Sequence, residues 1–178
     1  MASLVKRMLG AVKLDAVTYE EVENDATATP QALLVVVLAS VAGGLGAMRA
    51  TGIVGLLLAA LASLLGWFVW AFVTFLLGTR VLPGAKTQAD IGQLLRTIGF
   101  SATPGLIRAL GIIHGVDEVV AIVASLWMLA AMVVAVRQAL DYESTGRAIM
   151  VCAIGFIVNF GVLFLLGRLL GATVTIAP

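Results

Sequence analysis

The sequence carries little charge, and neither sign of charge predominates. Among 178 residues, 11 are Lys or Arg and 10 are Asp or Glu, which leaves a net charge of +1 with the single histidine neutral. A nucleic-acid-binding protein shows a basic excess, and a protein with a cationic partner shows an acidic one. Neither excess is present, so the charge balance points neither to a nucleic acid nor to a cationic partner.

Cysteine and histidine are also scarce, with one residue of each, Cys152 and His114. A single cysteine excludes an internal disulfide and any metal site built from several cysteines. The sequence has no HExxH motif, no GxxxxGK[ST] phosphate-binding loop and no GxSxG nucleophile elbow. His114 with Asp117 and Glu118 offers an alternative metal site, but two carboxylates at a helix start more simply complement the helix dipole. We predict no catalytic residue, no metal ion and no cofactor, and a protein that is not an enzyme.

Apolar residues fill most of the sequence, at 61% of all residues and a mean hydropathy of +1.11. A helix that rises ~1.5 Å per residue needs about 20 mostly apolar residues to cross roughly 30 Å of hydrocarbon. The apolar runs are continuous, whereas the strands of a barrel alternate apolar and polar residues. We therefore predict an all-α polytopic membrane protein, a bundle of five transmembrane helices with spans at about 32–48, 53–77, 91–113, 119–136 and 148–166.

The placement of Lys and Arg predicts the orientation of the chain. With a cytoplasmic N-terminus, two basic residues, Arg49 and Arg168, lie outside. Seven lie on the cytoplasmic side, as the positive-inside rule favours: Lys6, Arg7, Lys13, Arg80, Lys86, Arg137 and Arg147. Lys is also rarer than Arg, beside abundant Ala, Gly and Val. We expect a prokaryotic cell (inner) membrane, with the C-terminus external.

Three regions follow from this plan: an amphipathic N-terminal segment at 1–29, a transmembrane domain at 30–171 and a short external tail at 172–178. The first region is not a signal peptide, because charged residues interrupt the place where a continuous apolar core should be. Its early apolar residues fall on one helical face, and they are Leu4, Val5, Met8, Leu9 and Val12. This pattern predicts either a helix that rests on anionic lipid or a packed cytoplasmic cap.

Two capping signals divide the rest of this segment. Thr18 and Glu21 have the spacing of a capping box, which indicates a short second helix. Thr29 followed by Pro30 is typical of a helix start, and it predicts the beginning of the first span.

The predicted third span carries two arginines, Arg96 and Arg108, which are candidate contacts for lipids or partners. They lie 12 residues apart, roughly 18 Å along a helix and therefore near opposite ends of the span. We expect both side chains to extend toward the headgroups, because an arginine held at mid-bilayer is costly. The alternative is a polar groove that holds lipid headgroups.

Pro104 and Asn159 are the other candidate contacts. Pro104 lacks an N–H, so it frees the carbonyl of Phe100 and bends the helix, and Ser101 and Thr103 are close enough to satisfy that carbonyl. Plain packing and a hinge are both open readings of this kink. Asn159 lies near the middle of the fifth span, where we expect its amide to bond to another helix, with a substrate or ion contact as the alternative.

Large aromatic residues are concentrated in the second span. They are Trp67, Phe68, Trp70, Phe72 and Phe75. Because Trp and Tyr gather at membrane–water interfaces, we interpret this group as an anchoring belt.

Several short segments occur in an order that can be compared with a known family. They are VTYEEVEND at 17–25, QALLVV at 31–36, IGFSATPG at 98–105, LW at 126–127, VRQAL at 136–140 and STGRA at 144–148. Over nearly its whole length the chain resembles the prokaryotic branch of the Yip family, that is, proteins with a Yip-one domain. The resemblance implies a five-helix integral membrane protein with a cytosolic N-terminus.

The resemblance also bears on function. Eukaryotic Yip proteins bind prenylated Rab-type GTPases through a longer cytosolic region with an Asp-Leu-Tyr-Gly-Pro motif. This chain lacks that motif, and nothing in its acidic segment from Tyr19 to Asp25 resembles a GTPase-binding site.

We therefore expect a non-catalytic scaffold or accessory subunit that organises membrane partners or lipids. Its expected partners are membrane lipids and either a membrane protein or a second copy of the chain. The alternative is a small transporter or lipid-moving protein that uses the kinked, Arg-bearing third span.

Overall fold

The computed structural model describes residues 3–45, 48–113 and 115–169. Within these ranges the chain forms seven α-helices: α1 (Leu4–Val12), α2 (Ala16–Asn24), α3 (Thr29–Gly44), α4 (Met48–Leu76), α5 (Ile91–Ser101), α6 (Asp117–Ala139) and α7 (Thr145–Leu169). Short 3-10 and π segments join them at Ala26–Ala28, Leu77–Val81 and Thr103–Ile112. The described ranges contain no strand, which confirms the predicted all-α class.

The two short helices at the N-terminus, α1 and α2, form a hairpin that we call the N-terminal hairpin. Its turn passes through Leu14, which adopts the left-handed backbone conformation with φ 59°. Asp15 then caps α2, because its carboxylate accepts a hydrogen bond from the Thr18 N–H at 3.2 Å. The predicted second helix is therefore confirmed, but the predicted capping box at Thr18 and Glu21 is wrong, since Asp15 already satisfies the first turn.

The first long helix, α3, begins at Thr29, as predicted, with Pro30 in its first turn. A proline is tolerated there because the N–H it lacks would have no partner within the helix. The preceding 3-10 turn is capped by Asp25, whose carboxylate accepts from the Thr27 N–H at 2.9 Å.

Three helices among the described residues are long and apolar enough to cross a bilayer: Ala26–Gly44, Gly52–Val81 and Asp117–Ala139. A shorter apolar helix follows at Thr145–Gly161. The prediction of five spans is not confirmed, because the predicted third span at 91–113 divides into the 11 residues of α5 and a 10-residue 3-10 segment. The predicted external tail at 172–178 and part of the predicted first span lie outside the described residues.

Contacts along their lengths give the directions of the long helices. α3 is parallel to α5 and the 3-10 segment, because the residue numbers of their contact pairs rise together: Ala32 with Gly99, Ala39 with Gly105, and Gly43 with Arg108. The direction of α6 is opposite, as seen at Met132 with Ser101, Met128 with Gly105, and Ser125 with Arg108. α6 is therefore antiparallel to α3 and to α5 with its 3-10 segment.

Two buried clusters hold these helices together. The first lies between α4, α5, α6 and α7 and includes Leu94, Val136 and Val151. The second joins the N-terminal hairpin to α3, α5 and α6 through the fully buried Tyr19 and Phe100. The N-terminal hairpin is thus an integral part of the core.

The loops at one end of the bundle are bonded to each other. Tyr142 donates its hydroxyl to the Leu82 carbonyl at 2.7 Å, and Arg147 donates to the Pro83 carbonyl at 2.9 Å. Lys86 pairs with Glu143 across the surface of this end at 2.9 Å. Basic residues of the loop after α4 and of α7 therefore meet at one end.

Candidate functional site

Arg7 is the most completely buried charged residue described, with 1% of its surface exposed. It lies on α1, and its guanidinium donates to Glu21 at 3.1 Å, to Gln31 at 3.1 Å and to Asp25. These acceptors come from α2, the turn after it and the first turn of α3. Arg7 therefore ties the N-terminal hairpin to the bundle, with most of its donors used in bonds within the protein.

The charges of this cluster stabilise one another. Burial alone would lower the pKa of Arg7, but the hydrogen bonds and charges of Asp25 and Glu21 outweigh it and raise that pKa. The hydrogen bond from Thr27, followed by that from Arg7, lowers the pKa of Asp25 to about 2. Both groups are therefore ionised at neutral pH, and the cluster is a true ion pair.

Arg96 is also directed at the N-terminal hairpin. It is 8% exposed, and its Nε donates to the carbonyls of Val22 and Glu23, each at 3.2 Å. The last carbonyls of a helix have no partner within it and attract a cation. Arg96 thus caps the C-terminus of α2 and does not extend toward headgroups, contrary to our expectation.

Glu23 lies beside Arg96 and is almost fully buried, at 6% exposed. It accepts a hydrogen bond from the Gln93 side chain at 3.1 Å. Burial, and then the negative charges of Asp141 and Glu20, raise the pKa of Glu23 to about 7, although Arg96 acts in the opposite direction. Glu23 is thus close to half protonated at neutral pH.

Pro104 lies against α1. It lines an apolar groove of about 250 Å³ between α1, the 3-10 segment and α6, together with Leu9, Ile107 and Trp127. The indole of Trp127 donates to the Val12 carbonyl at 2.9 Å, at the C-terminus of α1. Pro104 therefore contributes to the docking of the N-terminal hairpin.

The predicted effect of Pro104 on its own helix is partly confirmed. Thr103 donates its hydroxyl to the Phe100 carbonyl at 2.6 Å, as expected, whereas Ser101 donates to the Ile98 carbonyl at 2.7 Å. The helix does not simply bend, however, because it ends at Ser101 and continues as the 3-10 segment from Thr103.

Arg108 and Asn159 line a second place, a partly open cavity of about 310 Å³ among the long helices that we call the central cavity. Every long element contributes to its lining: Val36, Ala39 and Ser40 from α3; Ser63, Gly66, Trp67 and Trp70 from α4; Ile98, Ser101 and Ala102 around the end of α5; Arg108; Met128 and Met132 from α6; and Asn159. The structure thus brings together two of the four predicted contact residues, and it places Arg96 and Pro104 elsewhere.

Polar atoms in the central cavity lack partners among the described residues. Arg108 donates one hydrogen bond, to the Ser125 hydroxyl at 2.9 Å, while its Nε is buried without an acceptor. The Trp70 Nε1 and the Asn159 Oδ1 are also buried without a partner. The expected bond from the Asn159 oxygen to another helix is therefore not formed within the described structure.

The aromatic residues of α4 divide between two faces. Trp67 and Trp70 line the central cavity, and Trp67 donates to the Leu95 carbonyl at 3.0 Å. Phe68 and Phe72 lie on the opposite side and are 53% and 44% exposed. Sequence reasoning missed the inward pair, although the spacing of three residues between the two tryptophans places them on one helical face.

The long apolar helices define an integral membrane protein whose N-terminal hairpin is bonded to its bundle. The family model described as the Yip1 domain matches residues 16–173, from the first residue of α2 to a point beyond α7. The chain belongs to the Yip1 domain family. Neither the curated proteins nor the solved structures contain a match to it.

Proposed function

We propose that this protein is a non-catalytic scaffold or accessory subunit that organises membrane partners or lipids. The observation that carries this proposal is the attachment of the N-terminal hairpin to the bundle by two buried arginines, Arg7 and Arg96. Both cations are used in structural bonds rather than offered to a substrate. A hairpin held in this way presents a fixed surface next to the membrane.

The exposed side of α2 is the surface to which we assign a partner. Val17, Glu20, Glu21 and Asn24 are all exposed, and their spacing of three and four residues places them on one helical face. Glu20 makes this face acidic, because the described residues offer it no salt bridge, whereas Glu21 is paired with Arg7. Charge complementarity therefore favours a basic segment of a membrane-protein partner as its occupant.

A five-span arrangement with the N-terminus in the cytoplasm completes the proposal. The 11 residues of α5 and the 10 residues of the 3-10 segment together extend about 36 Å, enough to cross the hydrocarbon. The opposite directions of α6 and of α5 with its 3-10 segment agree with this count. Lys86 and Arg147 meet at one end of the bundle, which supports a cytoplasmic assignment for that end.

Lipid contact by α1 is part of the same proposal. Val5 and Leu9 are 63% and 56% exposed, while Arg7 on the other side of the helix is buried. An amphipathic helix with an exposed apolar side rests in the interfacial region of a bilayer. We therefore assign the exposed apolar side of α1 to contact with lipid beside the bundle.

Native purification in nanodiscs, with mass spectrometry of everything retained, tests the scaffold role. We expect a stoichiometric membrane partner that is retained by the wild type and lost at least fivefold in Glu20→Lys. Glu118→Lys is the matched control, because it reverses an exposed charge at the start of α6. Recovery of the chain alone, or with lipid only, would contradict a role as an accessory subunit of a membrane protein, and transport assays in proteoliposomes would then test the alternative.

A further inference from the structure

We propose that the central cavity binds the oxyanion head of an anionic lipid, a phosphate or carboxylate held by Arg108. The cavity is mostly apolar, and polar side chains from different helices line it, Arg108, Trp70 and Asn159 among them. This combination is typical of a site that fixes one polar group of a largely apolar ligand. The inference does not depend on the partner surface proposed for α2.

Among the described residues, the charge of Arg108 has no counterion. All Asp and Glu residues of the sequence lie within the described ranges, and the salt bridges found there involve only Arg7 and Lys86 as cations. Arg108 is half-buried, and an arginine within the membrane-spanning part of a protein is costly unless an anion or water accompanies it. The cavity beside Arg108 provides room for such an anion.

Two side chains that line the cavity carry donors of the kind that an oxyanion accepts from. The Nε of Arg108 and the Nε1 of Trp70 are both donors, and neither has an acceptor among the described residues. The oxygen and nitrogen of an amide side chain are assigned from the surrounding hydrogen-bond network. With the opposite assignment, Asn159 places its NH₂ group where its oxygen now lies and adds a further donor. Charge-assisted hydrogen bonds from arginine to a phosphate or carboxylate are the strongest that such donors form.

Ser125 connects the central cavity to a place for an acyl chain. Its hydroxyl accepts from Arg108, and the same residue lines an apolar groove of about 470 Å³ between α6 and α7. The rest of this groove is formed by Leu129, Val133, Ile149, Cys152, Ala153, Phe156 and Ile157. A lipid can therefore place its head at Arg108 and its chain in the groove, whereas free phosphate would occupy the cavity alone.

Native mass spectrometry of the full chain released from detergent tests this site. The protein is incubated with equimolar phosphatidylglycerol and diacylglycerol that carry identical acyl chains, so that only the oxyanion differs. We expect one phosphatidylglycerol per protein, retained at least tenfold over diacylglycerol. Arg108→Gln should reduce this retention at least tenfold, and Arg108→Lys, which keeps the charge, by less than fivefold.

Arg80→Gln is the control, because Arg80 is an exposed arginine outside the cavity, and we expect it to change retention less than twofold. Displacement of the lipid by inorganic phosphate would assign the oxyanion site to the free ion. Equal retention of the two lipids by the wild type would overturn the proposal. This comparison does not depend on whether any variant folds. So would a folded Arg108→Gln that retains phosphatidylglycerol as well as the wild type does.

Discussion

At the scale of single residues, three arginines of this chain serve different purposes. Arg7 joins three segments through carboxylates and an amide, Arg96 caps a helix, and Arg108 faces the central cavity. Their sequence surroundings distinguish them poorly, because each lies in an amphipathic or apolar stretch. What separates them is which helix packs opposite, and that information is held in the tertiary structure.

The Arg7 cluster leads to a first prediction. Arg7→Gln removes the cation and leaves the carboxylates of Glu21 and Asp25 without their partner. We expect this change to destabilise the fold by about 2 kcal/mol. The loss is smaller than for a fully buried ion pair, because both carboxylates are partly exposed. Denaturation in mixed detergent micelles would measure this loss. Lys6→Gln, an exposed neighbour, should change stability by less than about 0.5 kcal/mol. Equal effects of the two variants would show that Arg7 is not a structural tie.

The raised pKa of Glu23 predicts that stability depends on pH. Because the pKa is about 7 in the fold against an ordinary 4.5, protonation of Glu23 stabilises the fold. This contribution is complete below pH 4.5 and is lost as the pH rises through 7. We therefore expect the wild type to become less stable between pH 5 and pH 8.

Glu23→Gln should remove most of this decline, because glutamine keeps an acceptor for Gln93 and cannot ionise. At pH 8 we expect the variant to be more stable by about 1 to 2 kcal/mol, since one pKa unit corresponds to about 1.4 kcal/mol and water reaches part of α2. Melting temperatures measured across the pH range provide the test. A parallel decline in the variant and the wild type would refute the assignment to Glu23.

At the scale of elements, the close approach of α3 and α5 depends on a glycine. A Cβ added at Gly99 would lie 2.7 Å from the Ala32 Cβ and 3.2 Å from the Ala32 backbone. Gly99→Ala should therefore push the two helices apart and cost about 1 to 3 kcal/mol. The measurement is again unfolding in mixed micelles.

A second glycine serves as the control for this prediction. Gly161 lies within α7, and a Cβ there would meet nothing within 4 Å. Gly161→Ala should leave stability unchanged or raise it by up to about 1 kcal/mol, because alanine favours the helix. If Gly99→Ala were as harmless as Gly161→Ala, the contact between α3 and α5 would be looser than described.

The elements themselves were largely predictable, whereas the break after α5 was not. The proline signal at Thr29-Pro30 marks the start of α3 because capping chemistry is local. Pro104 predicted a disturbed helix, and Thr103 was expected to bond to the freed carbonyl of Phe100. The change to a 3-10 segment, however, also reflects contacts with α1, α3 and α6. Those contacts involve residues distant in sequence, so no local pattern contains them.

At the scale of the whole molecule, the proposed orientation can be measured with cysteine labelling. In a Cys152→Ser background, Lys86→Cys and Val116→Cys place exposed thiols near opposite ends of the bundle. We expect a membrane-impermeant maleimide to label Val116→Cys in intact cells, and Lys86→Cys only after permeabilisation. Labelling of both thiols from one side would contradict the five-span arrangement.

The central cavity shows how far a sequence can lead toward a site. Intramembrane polar residues are rare enough to stand out, so Arg108 and Asn159 could be named in advance. Their convergence on one cavity could not, because it requires the packing of all the long helices. The two tryptophans that complete the lining were hidden among aromatic residues that point to lipid.

The bond between Trp127 and the Val12 carbonyl has a consequence for the order of events during synthesis. It joins residues 115 positions apart, so the N-terminal hairpin leaves the ribosome well before its docking surface on α6 exists. At about 5 to 20 residues per second, this interval is roughly 6 to 23 s. Throughout it, Arg7 already has Glu21 and Asp25 within its own stretch of chain. The hairpin can therefore neutralise its buried cation while it waits for α6 to be made.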